Sequence, residues 1–303
     1  MFVPHRLKNT FGYYPAGRKP GFDPTHVAAG SLFNFSVVAL RGDASSTSAQ
    51  DVFCIVPGGP CNNTGSTGTL TSGIDSILGI SITGFDNSGT GPVIRTPSAS
   101  NWVTTPNSVT VAAIVGTGTN GGVPEWLFSS SEFGLQGVQL GRLANNNLAL
   151  ASNGNVDSGL TLTVGRYYFI AASAKTSGTW NFCTFDLMGF NNFSGSQGGA
   201  ILTSGVAGNA LVADGPNYNI GNSNANSATR AWTDGFHCVM YSGGTYLSQL
   251  QLRQWASDLW SFWYPPTLEN ALALSQVKSP AASVLTPGGI GGHFARRMNV
   301  VEY

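Results

Sequence analysis

The sequence predicts an all-β fold, a sandwich or barrel. Three observations carry that expectation. Apolar residues recur at every second position in several runs of five to nine residues, the period of a half-buried strand. Gly, Asn, Ser and Thr separate those runs, as turns require. Charged residues make up only 9% of the chain, against ~25% in ordinary soluble proteins. Helices with solvent-facing charge, coiled coils and charged disordered tails are thereby disfavoured. There are 40 glycines in 303 residues, roughly twice ordinary usage, while a hydrophobic content of 42% still allows a large core.

The elements follow in order. Residues 1–30 read as an extended arm, because Pro4, Pro15, Pro20 and Pro24 break regular structure. Phe11, Tyr13, Tyr14 and Phe22 give that arm apolar anchors, and Arg18 is one of its cations. Residues 31–40 (SLFNFSVVAL) predict a first strand, and 52–56 (VFCIV) a second, closed by Pro57-Gly58-Gly59-Pro60. A further strand is expected over 76–85. In 109–115, Val109, Val111, Ala113 and Val115 share one face. In 160–164, Leu160, Leu162 and Val164 point inward and Thr161 and Thr163 outward. Residues 166–174 follow as a strand. In 180–188, Trp180 and Phe182 oppose Cys183, Phe185 and Leu187. In 235–241, strict alternation sets Phe236, Cys238 and Met240 against His237, Val239 and Tyr241.

One helix is expected after these strands. Ser248 is a good N-cap, with Gln251 in the capping-box position and Leu247 and Leu252 as a staple. Leu252, Trp255, Ala256 and Leu259 then form an apolar stripe at helical spacing. Pro265 and Pro266 stop the helix, a second short one is expected over 267–277, and 279–303 reads as an extended tail.

Charge is unevenly placed. Residues 1–30 carry Arg6, Lys8, Arg18 and Lys19 against Asp23, and residues 278–303 carry Lys278, Arg296 and Arg297 against Glu302. With a formal net charge of zero, two basic arms flank an acidic body. No nucleic-acid partner is expected from this balance. No apolar run spans a membrane, and the N-terminus shows no secretory signal. Cys54, Cys61, Cys183 and Cys238 are expected as small buried thiols, with Cys54 and Cys61 able to close a short loop under oxidation.

The order of strands, the Ile220-Gly221-Asn222 segment before a final strand, the Leu247-Ser248 helix start and the run Trp255, Ala256, Asp258, Trp260, Phe262, Trp263, Tyr264, Pro265 resemble the concanavalin A-like lectin/glucanase superfamily. The resemblance is to its laminin G-like jelly rolls from phage and bacterial proteins, and it covers roughly residues 31–266. It implies a two-sheet antiparallel jelly-roll sandwich, with one short C-terminal helix packed on it and extended N- and C-terminal arms. It does not imply one function.

Three chemistries are compatible with a fold of that kind. Hydrolysis by paired carboxylates is disfavoured, because Glu125, Glu132, Glu269 and Glu302 form no Glu-x-Asp-x-x-Glu pattern; the chain is expected not to be an enzyme. No other cofactor is expected. Ca²⁺ is the cation that Asp157, Asp214, Asn217 and Asn219 offer oxygen to, although Asp and Asn also favour turns. A carbohydrate site would draw on Trp102, Trp126, Trp232, Tyr218 and Asn217, with Trp180 and the Asn-rich loops 145–155 and 217–226 as further sources.

The arms complete the reading. Phe11, Tyr13, Tyr14, Arg18, Phe22, Phe294, Arg296 and Arg297 combine aromatic surface with positive charge, which suits docking onto neighbouring subunits. The first expectation is therefore a structural protein of a bacteriophage virion. It would be made in the host cytoplasm, form a homo-oligomer and be displayed on capsid or tail through its arms, with other virion proteins as partners. The alternative is a carbohydrate-binding adhesin for cell-surface glycans.

Overall fold

The computed structural model describes residues 25–31, 33–39, 44–46, 52–55, 62–63, 70–74, 81–85, 94–95, 106–130, 137–188, 200–215, 218–222, 230–232, 234–259 and 261–262. These belong to one compact unit, Met1–Trp263; a second, Tyr264–Tyr303, lies outside them. Of the N-terminal arm only residues 25–30 are described; its anchoring residues Phe11, Tyr13, Tyr14, Arg18 and Phe22, the C-terminal arm, the Cys54–Cys61 loop and the second helix expected over 267–277 lie outside the described residues.

The strands are β1 (Phe33–Ala39), β2 (Ala44–Ser46), β3 (Val52–Ile55), β4 (Asn62–Asn63), β5 (Leu70–Ile74), β6 (Ser81–Phe85), β7 (Ile94–Arg95), β8 (Ser108–Gly116), β9 (Glu125–Ser129), β10 (Gln139–Arg142), β11 (Asn147–Ala151), β12 (Asn155–Thr161), β13 (Tyr167–Lys175), β14 (Thr179–Asp186), β15 (Ile201–Ala207), β16 (Asn219–Ile220) and β17 (Phe236–Gly243). They form two antiparallel sheets. The ten-stranded sheet runs β15-β14-β13-β8-β17-β6-β5-β2, with β1 joining β17 to β3. The seven-stranded sheet runs β12-β11-β10-β9-β16-β7-β4. Successive strands change sheet after β3, β4, β6, β7, β8, β12, β15 and β16, while β9–β12 and β13–β15 run as antiparallel neighbours within one sheet. This is the two-sheet jelly-roll sandwich that the alternation and the resemblance predict.

The inward residues are those the period of two assigns. Val109, Val111, Ala113 and Val115 from β8, Trp180 and Phe182 from β14, and Leu148 and Leu150 from β11 all enter one buried cluster. Its centre is aromatic: Phe35, Phe128, Tyr218 and Tyr241 have ring centroids 5.3–6.0 Å apart. Such tilted and stacked pairs add to the gain from burial alone.

Three local expectations are corrected. In β17 the core receives Phe236, Val239 and Tyr241, not Phe236 with Cys238 and Met240. A bulge between Phe236 and Cys238 inserts His237 as an extra residue and flips the phase. Val164 does not point inward but is 43% exposed; β12 ends at Thr161, and Val164 stands in the turn before Gly165, whose φ is +76°. Of the strand expected over 76–85, Ser81–Phe85 is strand β6, and 76–80 lie outside the described residues. The helix α1 (Gln249–Ser257) ends before the prolines, capped at Asp258, whose N–H bonds to Trp255 O.

The start of α1 is as predicted. Gln251 N donates to Ser248 Oγ, and Ser248 N donates to Gln251 Oε1, completing the capping box. The helix packs on β14 and β15 and covers that end of the outer face of the ten-stranded sheet. Trp255 meets Phe169 edge-on at 5.3 Å. His26 adds a second cover, 5.1 Å from the Trp255 ring and 5.5 Å from Phe262, with Nε2 3.0 Å from Ser261 Oγ. Beneath them, Leu247 N donates to Ser173 Oγ and Asn181 Nδ2 donates to Leu247 O.

Candidate functional site

With that end of one outer face covered by α1, the seven-stranded sheet offers the other face. Phe128, Leu140, Leu148, Leu150, Val156 and Ile220 point into the core, so the residues alternating with them line the outside. The register places these outer residues in rows across the strands. Asn219, Ser129, Gln139, Ala151 and Asn155 form one row. Trp126, Gly141, Ala149 and Asp157 form the next.

Each row has a physical logic. Trp126 packs with Ala149, Ala151 and Leu143 in a cluster separate from the main core. Gly141 is required beneath it, because a Cβ there would lie 2.0 Å from Glu125 O and 2.8 Å from Trp126 Cα. The register slips between Leu140 and Gly141 at this point, so Leu127 and Phe128 both reach the core while Trp126 stays outside.

The accessible end of the face is at β11 and β12. Asp157 accepts hydrogen bonds from Asn145 Nδ2 (3.0 Å), from Asn147 Nδ2 (3.0 and 3.1 Å to its two oxygens) and from Gly159 N (2.7 Å). Thr161 Oγ1 donates to Asn147 Oδ1 at 2.8 Å. Asn145, Asn155 and Thr161 are exposed, and Asn147 and Asp157 half-buried. Burial pushes the Asp157 carboxyl up, but the bonds from Gly159, Asn145 and Asn147 outweigh it and hold the group below its ordinary value of 3.8. The patch is ionised and pre-oriented at neutral pH. Deeper on the face, Gln139 is 3% exposed and its Nε2 has no hydrogen-bond partner among the described residues.

The sequence-predicted site residues separate. Trp126 lies on this face but is 2% exposed, lying against the sheet. Trp232 is buried in the core, its Nε1 donating to Gly116 O at 2.9 Å, and Tyr218 is buried in the aromatic centre. Neither ring faces solvent. Trp102 and Asn217 lie outside the described residues.

The proposed calcium set is not brought together. Asp157 is on β12 and Asn219 on β16, four strand spacings apart, or ~19 Å at the usual inter-strand distance. Asp214 is buried elsewhere, accepting from Ser130 Oγ and Tyr241 Oη at 2.5 Å each. Among the described residues no three His, Cys, Asp or Glu side chains group to hold a metal ion. Glu125 is likewise committed: Arg142 Nη2 and Nε donate to its Oε2 at 2.7 and 3.0 Å, both side chains being buried.

Sequence reading missed Gln139 and Ser129, whereas Asn145 and Asn147 fall in the Asn-rich loop 145–155 that it offers for a carbohydrate site. The signal for Gln139 was its alternation with Leu140 in the short strand QLGR. The asparagines read as turn residues, which they also are: Asn147 N donates to Asn145 Oδ1, and Asn146 has φ +63°.

No protein-family model matches the sequence, and no curated protein matches it. Solved structures do align with it. The binding domain of botulinum neurotoxin DC in complex with SialylT has 9% identity and a TM-score of 0.44, over 71% of this chain and 50% of that one. Trypanosoma rangeli sialidase in complex with sialic acid has 13% identity and a TM-score of 0.41, over 74% and 32%. A protein of unknown function from Shewanella oneidensis MR-1 has 11% identity and a TM-score of 0.38, over 73% and 90%. The chain thus spans half of the toxin structure and a third of the sialidase.

Proposed function

We propose that this chain is a non-catalytic carbohydrate-binding module whose ligand face is the outer surface of the seven-stranded sheet. The observation that carries the reading is the Asp157 patch: a carboxylate held by two asparagine amides and a backbone N–H, at the accessible β11–β12 end of that face. Fixed carboxylate and amide groups exchange hydrogen bonds with adjacent sugar hydroxyls, and a few placed polar groups on a pre-formed surface are what give orientation and specificity. Gln139 Nε2, a buried donor on the same face, is a further group that a hydroxyl would satisfy. The non-catalytic part of the reading rests on the sequence, whose glutamates form no paired-carboxylate pattern, and Glu125 is committed to Arg142.

Display on a virion through basic aromatic arms gains no support from the described residues, because the anchoring residues of the arms lie outside them. The test is a glycan array read with the full chain and with Asp157→Ala and Asn147→Ala. Specific binding by the parent chain is expected, lost in both variants while their melting curves stay cooperative. Binding should hold from neutral pH down towards 3.8 and fall only as Asp157 protonates below that value. No glycan bound by the parent chain, or binding unchanged in both variants, refutes the assignment.

A further inference from the structure

The sequence contains two Asn-Gly dipeptides, Asn120-Gly121 and Asn153-Gly154. Without a Cβ on glycine, the following amide nitrogen is open to the asparagine side chain. The fold treats the two pairs in opposite ways. Asn120 Nδ2 donates to Leu143 O at 2.8 Å, and Asn120 Oδ1 accepts from Gly122 N at 2.9 Å. Gly121 N donates to Glu125 Oε1 at 3.3 Å, which ties it to the buried ion pair. Both potential reactants of this pair are occupied.

Asn153-Gly154 is the tip of the β11–β12 hairpin. Both residues are exposed, with φ of +51° and +114°. The flanks are fixed: Ser152 N donates to Gly154 O at 3.1 Å, and Ser152 Oγ accepts from Val212 N at 2.9 Å. Yet among the described residues neither the Asn153 carboxamide nor the Gly154 N–H makes a hydrogen bond.

We propose that Asn153 is a site of spontaneous deamidation and isomerisation, and that Asn120 is protected from it. Gly154 N gives up its proton to solvent base and attacks Asn153 Cγ. The N–Cγ bond forms, the Cγ–Nδ2 bond breaks, and Nδ2 leaves as ammonia after taking a proton from water. Water then adds to either carbonyl of the five-membered succinimide and opens it, giving aspartate or isoaspartate. No oxidant or reductant is needed. Either product places a new negative charge four residues from Asp157, and isoaspartate also adds a methylene to the main chain of the hairpin that carries the patch.

The test uses the full folded chain at mildly alkaline pH. Proteolytic digestion and mass spectrometry with fragmentation that separates aspartate from isoaspartate follow both peptides over time, with a parallel sample in denaturant. In denaturant the two pairs should convert at similar rates. In the folded chain Asn153 should convert, and Asn120 should be slower on the order of 100-fold, because it reacts only after local opening breaks three hydrogen bonds. Asn153 intact in the folded chain while converting in denaturant overturns the proposal, and so does equal conversion of both sites in the fold.

Discussion

Breaking the Glu125–Arg142 pair from one side should be among the most destabilising single changes in the sandwich. Both side chains are buried, at 1% and 0% exposure. Arg142 donates twice to Glu125 Oε2, and its guanidinium carbon stands 5.1 Å from the Trp232 ring centroid. Glu125→Leu leaves a buried guanidinium without its carboxylate, and Arg142→Met leaves a buried carboxylate without its guanidinium. Each single change should cost ~3–5 kcal/mol. At ~2–4 °C per kcal/mol for a chain of this size, that lowers Tm by roughly 6–20 °C. The double variant removes both charges and leaves apolar groups of similar bulk, so it should cost far less than the sum, giving a coupling of at least ~2 kcal/mol. Urea unfolding followed by tryptophan fluorescence reads all four corners of the cycle, with constant m required for the comparison. Single variants within ~1 kcal/mol of the parent, or a double variant equal to the sum of the singles, would show that the charges are not coupled and refute the reasoning.

Tyr218 and Tyr241 are held protonated, first by burial and then by the charge of Asp214, well above their ordinary value of 10.0. A raised folded value means that the associated stability is complete below the unfolded value and is lost as pH rises above it. The urea midpoint should therefore be flat up to the tyrosine range and fall beyond pH 10, and phenolate absorbance from these two rings should appear only with unfolding. Burial likewise pushes the Cys183 thiol up to about 12 and Cys238 well above 9.0. Alkylation mapped by mass spectrometry should thus leave both unmodified in the folded chain and modify both in denaturant. Gly141→Ala would set a Cβ against the Glu125 carbonyl and the Trp126 backbone, atoms that cannot swing aside. It should cost about 3 kcal/mol or prevent folding, measured as soluble yield and urea midpoint.

The parts of the fold that were legible share one property: their side chains answer to one dominant force. Val109 to Val115 and Trp180 with Phe182 read correctly because burial sorts alternate residues to opposite faces. Ser248 and Gln251 read correctly because a cap is a local contact three residues apart. The phase of β17 was lost because a single extra residue, His237, is invisible to a period count. Trp232 and Tyr218 misled for a related reason. An aromatic ring with a polar atom suits both a sugar and a core, and only the partner decides; for Trp232 that partner is Gly116 O, 116 residues away.

The same contrast locates the ligand face. Four tryptophans fall among the described residues, and all are buried, so tryptophan content says nothing about sugar recognition in this chain. What differs is the outside of the two sheets. On the ten-stranded sheet the outward polar groups Ser173 and Asn181 are consumed in holding Leu247 and the helix behind it. On the seven-stranded sheet the outward polar groups at β11 and β12 bind one another and remain accessible. A face that binds its own chain requires apolar cover such as Trp255 and Phe262. A face that keeps Asp157 ionised, fixed and half-open has not been adapted to a cover of that kind. Replacing Asn145 and Asn147 together by alanine should therefore raise the Asp157 value toward 3.8 and abolish ligand binding, at a stability cost of only ~1 kcal/mol. A loss of several kcal/mol from that double change would instead mark the patch as a structural clamp on the hairpin and move the ligand face elsewhere.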